Sequence, residues 1–297
     1  MNAPQNLLRP PVLTASTQDL PAAITAQLKK DAVVVVRGAL PTLADFTRLT
    51  DSLGRFQAHS SGNFRVGIFG ARDGMSEDGT VTTVNLGSEE IPLHRERAYT
   101  PMPPQALFFY CQRPPETPAP TTALDGGAFL ERLPPHLRHF AENNSLRYTC
   151  RFTLTEQLRG LICKGMGAAN LDQARQLLPL IAAQLLVEDE LTIHEFSDDE
   201  LVYDIVSPMV RRGGMQQRPS FCSSLIPVPL ITMADGTPLT GVAQWQEISA
   251  LARQQQYAHH WQQGDMLVID NSTAMHGRLA HSDSARQIAL RMGWMTA

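Results

Sequence analysis

The feature that most constrains the fold of this chain is a set of short apolar runs bounded by glycine or proline. The β-branched run "DAVVVVRGAL" (31–40) ends in a turn at Gly38 and predicts a buried strand. A second strand is predicted between prolines in "PPQALFFYCQRPP" (103–115), and two more near the C-terminus in "GDMLVIDNS" (264–272) and "RQIALRMGW" (286–294). Runs of this length are typical of strands, so the chain is predicted to be mainly β.

A few longer amphipathic segments interrupt these strands. Helices are predicted over 41–54, 127–144, 171–186 and 242–257, with a break at Pro134-Pro135 in the second. Further short strands are predicted over 80–87, 201–210 and 219–228. Short strands with few helices fit a β-sandwich or jelly roll with helical insertions, and the absence of repeats and linkers favours one domain over 1–297.

Charge and cysteine content limit the possible partners. The 297 residues include 25 basic and 29 acidic ones, a net charge of -4, so the basic surface typical of nucleic-acid binding is not expected and the substrate is expected to be small. The sequence has no signal-like start and no membrane-spanning stretch, so we expect a cytoplasmic protein. Four dispersed cysteines without a CxxC argue against a thiolate zinc site and predict reduced thiols, of which Cys111 is the clearest buried one.

The stretch "IPLHRERAYTP" (91–101) contains a candidate metal motif. In a strand, His94 and Glu96 would lie on one face, and Arg95 and Arg97 would point away toward solvent. With one further histidine, such a pair forms the two-histidine, one-carboxylate face that holds non-haem Fe(II).

The motif alone does not decide between a metal site and a solvated strand edge. With nine histidines and 29 acidic residues, about one His-x-acid match is expected by chance, and a second occurs at His281-Ser282-Asp283. His276, in "STAMHGR" after an apolar strand, is the candidate third ligand, although a structural histidine is the alternative. The arginines that follow it, Arg278, Arg286 and Arg291, could hold a dicarboxylate cosubstrate.

Together, "IPLHRERAYTPMPPQALFFYCQRPPETPAPTTALDGG" and "WQQGDMLVIDNSTAMHGRLAHSDSARQIALRMGW" resemble the taurine dioxygenase-like (TauD/TfdA) superfamily of Fe(II)/2-oxoglutarate-dependent oxygenases, closest to its clavaminate synthase-like HxE branch. The resemblance covers about 31–291 and is faint over about 150–260, where such proteins carry variable insertions and lids. It implies a double-stranded β-helix (jelly-roll, cupin-like) core with helical insertions. It also implies iron held by His94, Glu96 and His276, with 2-oxoglutarate and O2 as cosubstrates.

The resemblance also suggests which residues hold the cosubstrate. Thr121 occupies the position of a threonine that contacts the 2-oxoglutarate carboxylate, although Pro118-Ala119 replace the glycines that usually precede it. Arg286 best fits the position of the anchoring arginine, with Arg291 as rival or substrate contact. If the strand is regular, these two arginines lie on opposite faces. Asn85 is a further candidate for lining the pocket, with a buried structural amide as the alternative.

The resemblance implies oxidation of an unactivated C–H bond. Glu96 is retained where related halogenases have a small residue, which favours hydroxylation, desaturation or epoxidation. A small amino-acid-like or carrier-tethered substrate from natural-product biosynthesis is expected. The alternatives are a taurine-type sulfonate or small-acid dioxygenase, with Arg291 binding the substrate anion, and a cupin-like protein that binds a ligand without redox chemistry.

Overall fold

Two four-stranded sheets, one seven-stranded sheet, one two-stranded ribbon and seven α-helices make up the described part of the chain. The computed structural model describes residues 9–56, 72–84, 87–101, 103–186, 188–283 and 285–296. The strands are β1 Val12–Thr14, β2 Val33–Arg37, β3 Gly54–Phe56, β4 Val81–Thr83, β5 Ile91–His94, β6 Ala106–Arg113, β7 Thr121–Asp125, β8 Ser145–Thr153, β9 Glu190–Phe196, β10 Glu200–Pro208, β11 Val210–Arg211, β12 Ser220–Phe221, β13 Ile231–Met233, β14 Tyr257–His259, β15 Met266–Asp270, β16 Ala274–Arg278 and β17 Gln287–Met295. The helices are α1 Leu20–Leu28, α2 Leu43–Asp51, α3 Gly126–Arg132, α4 Pro135–Glu142, α5 Glu156–Met166, α6 Leu171–Leu185 and α7 Ala243–Gln255.

The seven-stranded sheet, which we call sheet A, joins the two ends of the chain. Its order is β1-β2-β15-β6-β17-β3, with β4 paired to β17. The late strand β15 lies between two early ones, so that Leu267 is opposite Val35 on one side and Phe109 on the other. The four long apolar runs of the sequence therefore become direct neighbours.

Both faces of sheet A are covered. Val34, Phe108 and Met266 point to one face and pack with residues of α1 and α2. Their neighbours in sequence point to the opposite face and pack against a second sheet. Since side chains alternate along a strand, cover on both faces explains why these runs are continuously apolar.

The second sheet, sheet B, has the order β14-β7-β16-β5. Ala123 and Ala274 point from it toward sheet A. Leu93 and Met275 point the other way, into a core shared with α3, α4 and α7. Side chains between sheets A and B are therefore enclosed from both sides, and this is where the candidate site lies.

The region of faint resemblance is regularly folded. It contains α5, α6, β9, β10 and β13, and the sheet β13-β8-β10-β9, called sheet C, packs on the outer core through residues such as Tyr148 and Ile205. Helices α1 and α5 and strands β8 and β9 were not predicted, and the described part has more helices than expected. α1 depends on its ends: Asp19 caps it and a proline occupies its first turn.

Most predicted elements are confirmed. β2, β6, β15 and β17 lie at the four apolar runs, and α2, α6 and α7 match their predicted segments. The predicted break at Pro134-Pro135 separates α3 from α4. The strand predicted over 219–228 is wrong for most of its length, since only β12 forms there. The polar stretch 57–71 and Asn85 lie outside the described residues.

The prediction of a sheet-rich fold with helices is confirmed. No helix among the described residues combines the length and the apolar character that crossing a membrane requires.

Candidate metal centre

Two histidines face each other across a strand pair in sheet B. His94 on β5 and His276 on β16 are directly opposite, and their ring centroids are 4.4 Å apart. The next residue, Gly277, allows this close approach, since a Cβ there would lie 2.5 Å from the Ile91 carbonyl oxygen. A side chain at position 277 would push the two strands apart.

Glu96 reaches the same point by a turn. β5 ends at His94, so the predicted strand alternation does not extend to Glu96, and Arg97 adopts a positive φ of 52°. Fully buried Asn271 holds the turn: its Oδ1 accepts the Glu96 N–H at 2.8 Å and its Nδ2 donates to the Glu96 carbonyl at 3.0 Å. Asn271 was missed, and its only signal was a polar pair, Asp-Asn, at the end of an apolar strand.

The three side chains converge tightly. Glu96 Oε2 lies 3.7 Å from His94 Nε2 and 3.4 Å from His276 Nε2. All three residues are buried, and their ligand atoms lie within 4.8 Å of one another. Among the described residues, no other group of three histidine, cysteine or acidic side chains meets that distance. One carboxylate and two imidazoles on one side of an ion would leave further coordination positions open.

The electrostatics of the three side chains suit a divalent metal. His94 Nδ1 lies 2.9 Å from the Pro92 carbonyl oxygen, an acceptor, so Nδ1 carries a proton and Nε2 is the ring nitrogen that faces Glu96. Burial, aided by the neighbouring His94, lowers the pKa of His276 to about 4. Burial would raise the pKa of Glu96, but the Arg72 charge and hydrogen bonds from the two histidines hold it well below its usual value. The low pKa values keep Glu96 anionic and His276 neutral at neutral pH.

Arg72 is a further residue at the centre that the sequence did not reveal. Its Nη2 lies 3.2 Å from both carboxylate oxygens of Glu96, and its Nη1 lies 3.6 Å from the Met292 sulfur. It follows an irregular polar stretch and matches no motif, so only the tertiary structure places it here.

A cavity opens beside the three candidate ligands. It is strongly basic, since three arginines and a single acidic residue line it: Arg72, Arg278, Arg286 and Glu96. Its apolar lining consists of Val84, Ile91, Phe109 and Leu290. A pocket with apolar walls and a few charged groups of mainly one sign suits a small anionic ligand.

Of the three residues predicted to hold the cosubstrate, the structure places two at the cavity and one elsewhere. Thr121, the first residue of β7, and Arg286, just before β17, both line the cavity. Arg291 does not: it points from the opposite face of β17 toward α2, where it pairs with Asp51 at 2.7 Å. The two arginines thus lie on opposite sides, although the pairing of β17 is irregular between Gln287 and Ile288, and the position of Arg291 does not fit its assignment to a ligand.

Two further predictions near the motif need correction. Arg95 was expected to be solvated, yet it is 5% exposed, because sheet C and its loops cover it and Asp189 pairs with it at 3.3 Å. Arg97 is half-buried. The chance match at His281 is not a metal motif in the structure: Asp283 accepts backbone N–H groups from both Thr117 and Arg286 and so orders the loop before β17.

Comparison with known proteins agrees with this geometry. The model of the taurine catabolism dioxygenase TauD, TfdA family matches residues 9–294. The chain belongs to this family. Membership confirms the resemblance and the assignment to dioxygenases.

Individual relatives are distant. A clavaminate synthase-like protein of Arabidopsis thaliana is 24% identical over 241 residues, covering 75% of this chain and 71% of the relative. A taurine dioxygenase structure from Burkholderia xenovorans superposes with a TM-score of 0.58 at 16% identity, covering 98% of this TauD-family chain and 88% of the other. The PvcB protein of Pseudomonas aeruginosa gives 0.60 at 15% identity, covering 96% and 86%. At such identities the structures establish the shared fold.

Proposed function

We propose that this TauD-family protein is an Fe(II)/2-oxoglutarate-dependent dioxygenase that oxidises an unactivated C–H bond of a small molecule. The observation that carries the proposal is the buried His94, Glu96 and His276 cluster beside a basic cavity. The two packed sheets A and B would then correspond to a double-stranded β-helix core, and the region 150–260 to a variable insertion.

In this proposal, iron is bound by His94 Nε2, His276 Nε2 and a Glu96 oxygen. A second structure of PvcB is described as an Fe, alpha-ketoglutarate-dependent oxygenase from an isonitrile synthetic pathway, and it superposes with a TM-score of 0.54 at 17% identity. When bound, iron and 2-oxoglutarate would activate O2 for the oxidation of the substrate C–H bond. The protein's own residues hold the metal, orient the ligands and exclude water.

The cosubstrate would be held by Thr121 and Arg286. Burial, together with the nearby Arg278 charge, lowers the pKa of Arg286 to about 10, so the guanidinium stays charged at neutral pH. Its Nη1 donates to the Ala119 carbonyl at 3.2 Å, which fixes the side chain and leaves other N–H groups for a carboxylate.

The reaction would be hydroxylation, desaturation or epoxidation of a small amino-acid-like or carrier-tethered substrate, in natural-product biosynthesis. The second candidate is a taurine-type oxygenase acting on a sulfonate or small acid. The basic cavity favours an anionic substrate in either case. In the second, Arg291 would not bind the anion, because α2 covers it.

The test is a substrate screen for succinate release with Fe(II), 2-oxoglutarate and O2, followed by mass analysis. We expect stimulated succinate formation and a product heavier by one oxygen or lighter by two hydrogens. Anaerobic Fe(II) with 2-oxoglutarate should give a weak visible charge-transfer band. A cupin-like binding protein would give neither signal, and a band that survives His94→Ala and His276→Ala would place the metal elsewhere.

A further inference from the structure

The hydroxyl group of Thr121 accepts a hydrogen bond from a buried tryptophan. Its Oγ1 lies 3.1 Å from Trp261 Nε1, and both residues are buried. An indole N–H can only donate, so Thr121 Oγ1 must act as the acceptor in this bond. Its own hydrogen is therefore still available.

That hydrogen has no acceptor on the protein among the described residues, where Trp261 is the only hydrogen-bond partner of Thr121 Oγ1. A free threonine hydroxyl rotates and often bonds to a nearby backbone carbonyl. With one lone pair occupied by the indole, the remaining direction is restricted. Thr121 lines the cavity together with Arg286, so an anion bound there could accept from both side chains.

Trp261 is itself held firmly. Its ring meets the His259 imidazole edge-on, with centroids 4.4 Å apart at 87°. His259 is directly opposite Thr121 in the pairing of β14 with β7, and its Nδ1 lies 2.9 Å from the Tyr257 hydroxyl. The strand register that fixes Thr121 therefore also fixes the residue against which Trp261 packs.

The turn that follows Trp261 is anchored by a buried charge. Fully buried Asp265 accepts the Gln262 N–H at 2.9 Å and pairs with Arg37 Nη1 at 2.6 Å. The indole thus comes from a rigid turn between β14 and β15, not from a mobile loop.

We propose that Trp261 is a positioning residue that commits the Thr121 hydroxyl to donate into the cavity, and so sets the affinity for the 2-oxoglutarate carboxylate. The proposal rests on the function proposed above. Trp261 would act only through Thr121, and it would touch neither the metal nor the cosubstrate.

The experiment is a double-mutant cycle on Mn(II)-loaded protein, with 2-oxoglutarate binding measured by calorimetry. Thr121→Val removes the hydroxyl at constant shape, and Trp261→Phe removes the indole N–H. Each change should weaken binding by about five- to tenfold, since the lost hydrogen bond is to a charged group. In the Thr121→Val background, Trp261→Phe should have almost no further effect, because the group it orients is gone.

Two controls separate positioning from packing. Trp245 is also buried, on α7, and its Nε1 has no hydrogen-bond partner among the described residues, so Trp245→Phe should leave 2-oxoglutarate affinity unchanged. Replacing Trp261 by 3-benzothienylalanine, which keeps the shape and lacks only the N–H, should reproduce Trp261→Phe even if the phenylalanine variant folds poorly.

The outcomes are distinct. If wild type does not bind 2-oxoglutarate, the proposed function fails and this inference with it. If wild type binds and the effects of Thr121→Val and Trp261→Phe are additive, Trp261 acts by packing and only this inference fails. The same holds if the benzothienyl protein binds as tightly as wild type. If Thr121→Val binds as tightly as wild type, the cosubstrate role proposed for Thr121 fails together with this inference.

Discussion

Arg286, just before strand β17, and Arg291, within it, are held in different ways. On the face toward α2, Arg291 pairs with Asp51, donates to the hydroxyl groups of Thr50 and Thr80, and lies 4.0 Å from the Phe56 ring centroid. Arg286, on the cavity side, has a carbonyl oxygen as its acceptor and no carboxylate within ion-pair distance among the described residues.

This difference indicates which arginine serves a ligand. A buried charge is costly unless it is paired and hydrogen-bonded, and the helix-facing environment supplies that pairing within the protein. The described residues of the cavity supply no carboxylate partner for Arg286, so a bound anion would provide the missing pairing. We therefore expect changes on the cavity side to reduce ligand binding and changes on the covered side to reduce stability.

The largest test of this division uses neighbouring residues on β16. His276→Ala should weaken Fe(II) or Mn(II) binding by more than about 100-fold, because even outer partners of metal ligands typically contribute 10- to 100-fold. Met275→Ala, which changes the opposite face, should leave metal affinity intact but lower the free energy of unfolding by about 2–4 kcal/mol. Calorimetric titration measures the metal affinity, and denaturant unfolding measures the stability. A large loss of metal affinity in Met275→Ala would contradict the expectation that the two faces of the strand affect different properties.

A buried ion pair away from the cavity should behave like Arg291. Asp189 is almost fully buried and pairs with both Arg95 and Arg211. Asp189→Ala leaves buried Arg95 without its carboxylate and Arg211 with only Glu188, 3.9 Å away, and should lower the free energy of unfolding by about 3 kcal/mol. The exposed pair of Arg113 and Glu116 is the matched control, since Glu116→Ala should change it by less than about 1 kcal/mol. Equal effects of the two substitutions in urea unfolding would contradict this prediction.

Exchanging Arg286 and Arg291 for alanine, one at a time, tests the comparison directly. Arg286→Ala should weaken 2-oxoglutarate binding by about 10- to 30-fold with little change in stability, since one charged contact to the ligand is lost. Arg291→Ala should keep the affinity and lower the free energy of unfolding by about 2 kcal/mol, because it removes buried hydrogen bonds and packing. Paired calorimetry and thermal unfolding would reveal a reversed order, which would return the cosubstrate role to Arg291.

The smallest expected effect concerns Arg72. Arg72→Met removes the cation that contacts both Glu96 oxygens. It should weaken metal binding by about fivefold, because that contact orients Glu96 and favours its anionic form. Arg253→Met, which changes an exposed arginine paired with Glu90, is the control and should bind metal as wild type does. Metal affinity unchanged in Arg72→Met would show that Asn271 alone fixes Glu96.

Residue periodicity predicted the apolar strands well because β2, β6, β15 and β17 are covered on both faces, and such strands leave a clear local signal. It failed for α5, whose sequence "EQLRGLICKGM" contains two glycines and whose side chains include none that is fully buried. It also failed for Arg95, since nothing local shows that sheet C covers that position.

The sequence by itself determined the candidate ligands His94, Glu96 and His276, the candidates Thr121 and Arg286, and the family to which they belong. Only the tertiary structure decided that Arg291 faces α2, that Asn271 holds the Glu96 turn, that Arg72 contacts Glu96 and that Trp261 contacts Thr121. The physical reason is that a motif records the identity and spacing of residues along the chain. Which face is covered, and which partner satisfies a buried charge or hydroxyl, depends on strands that are far apart in sequence.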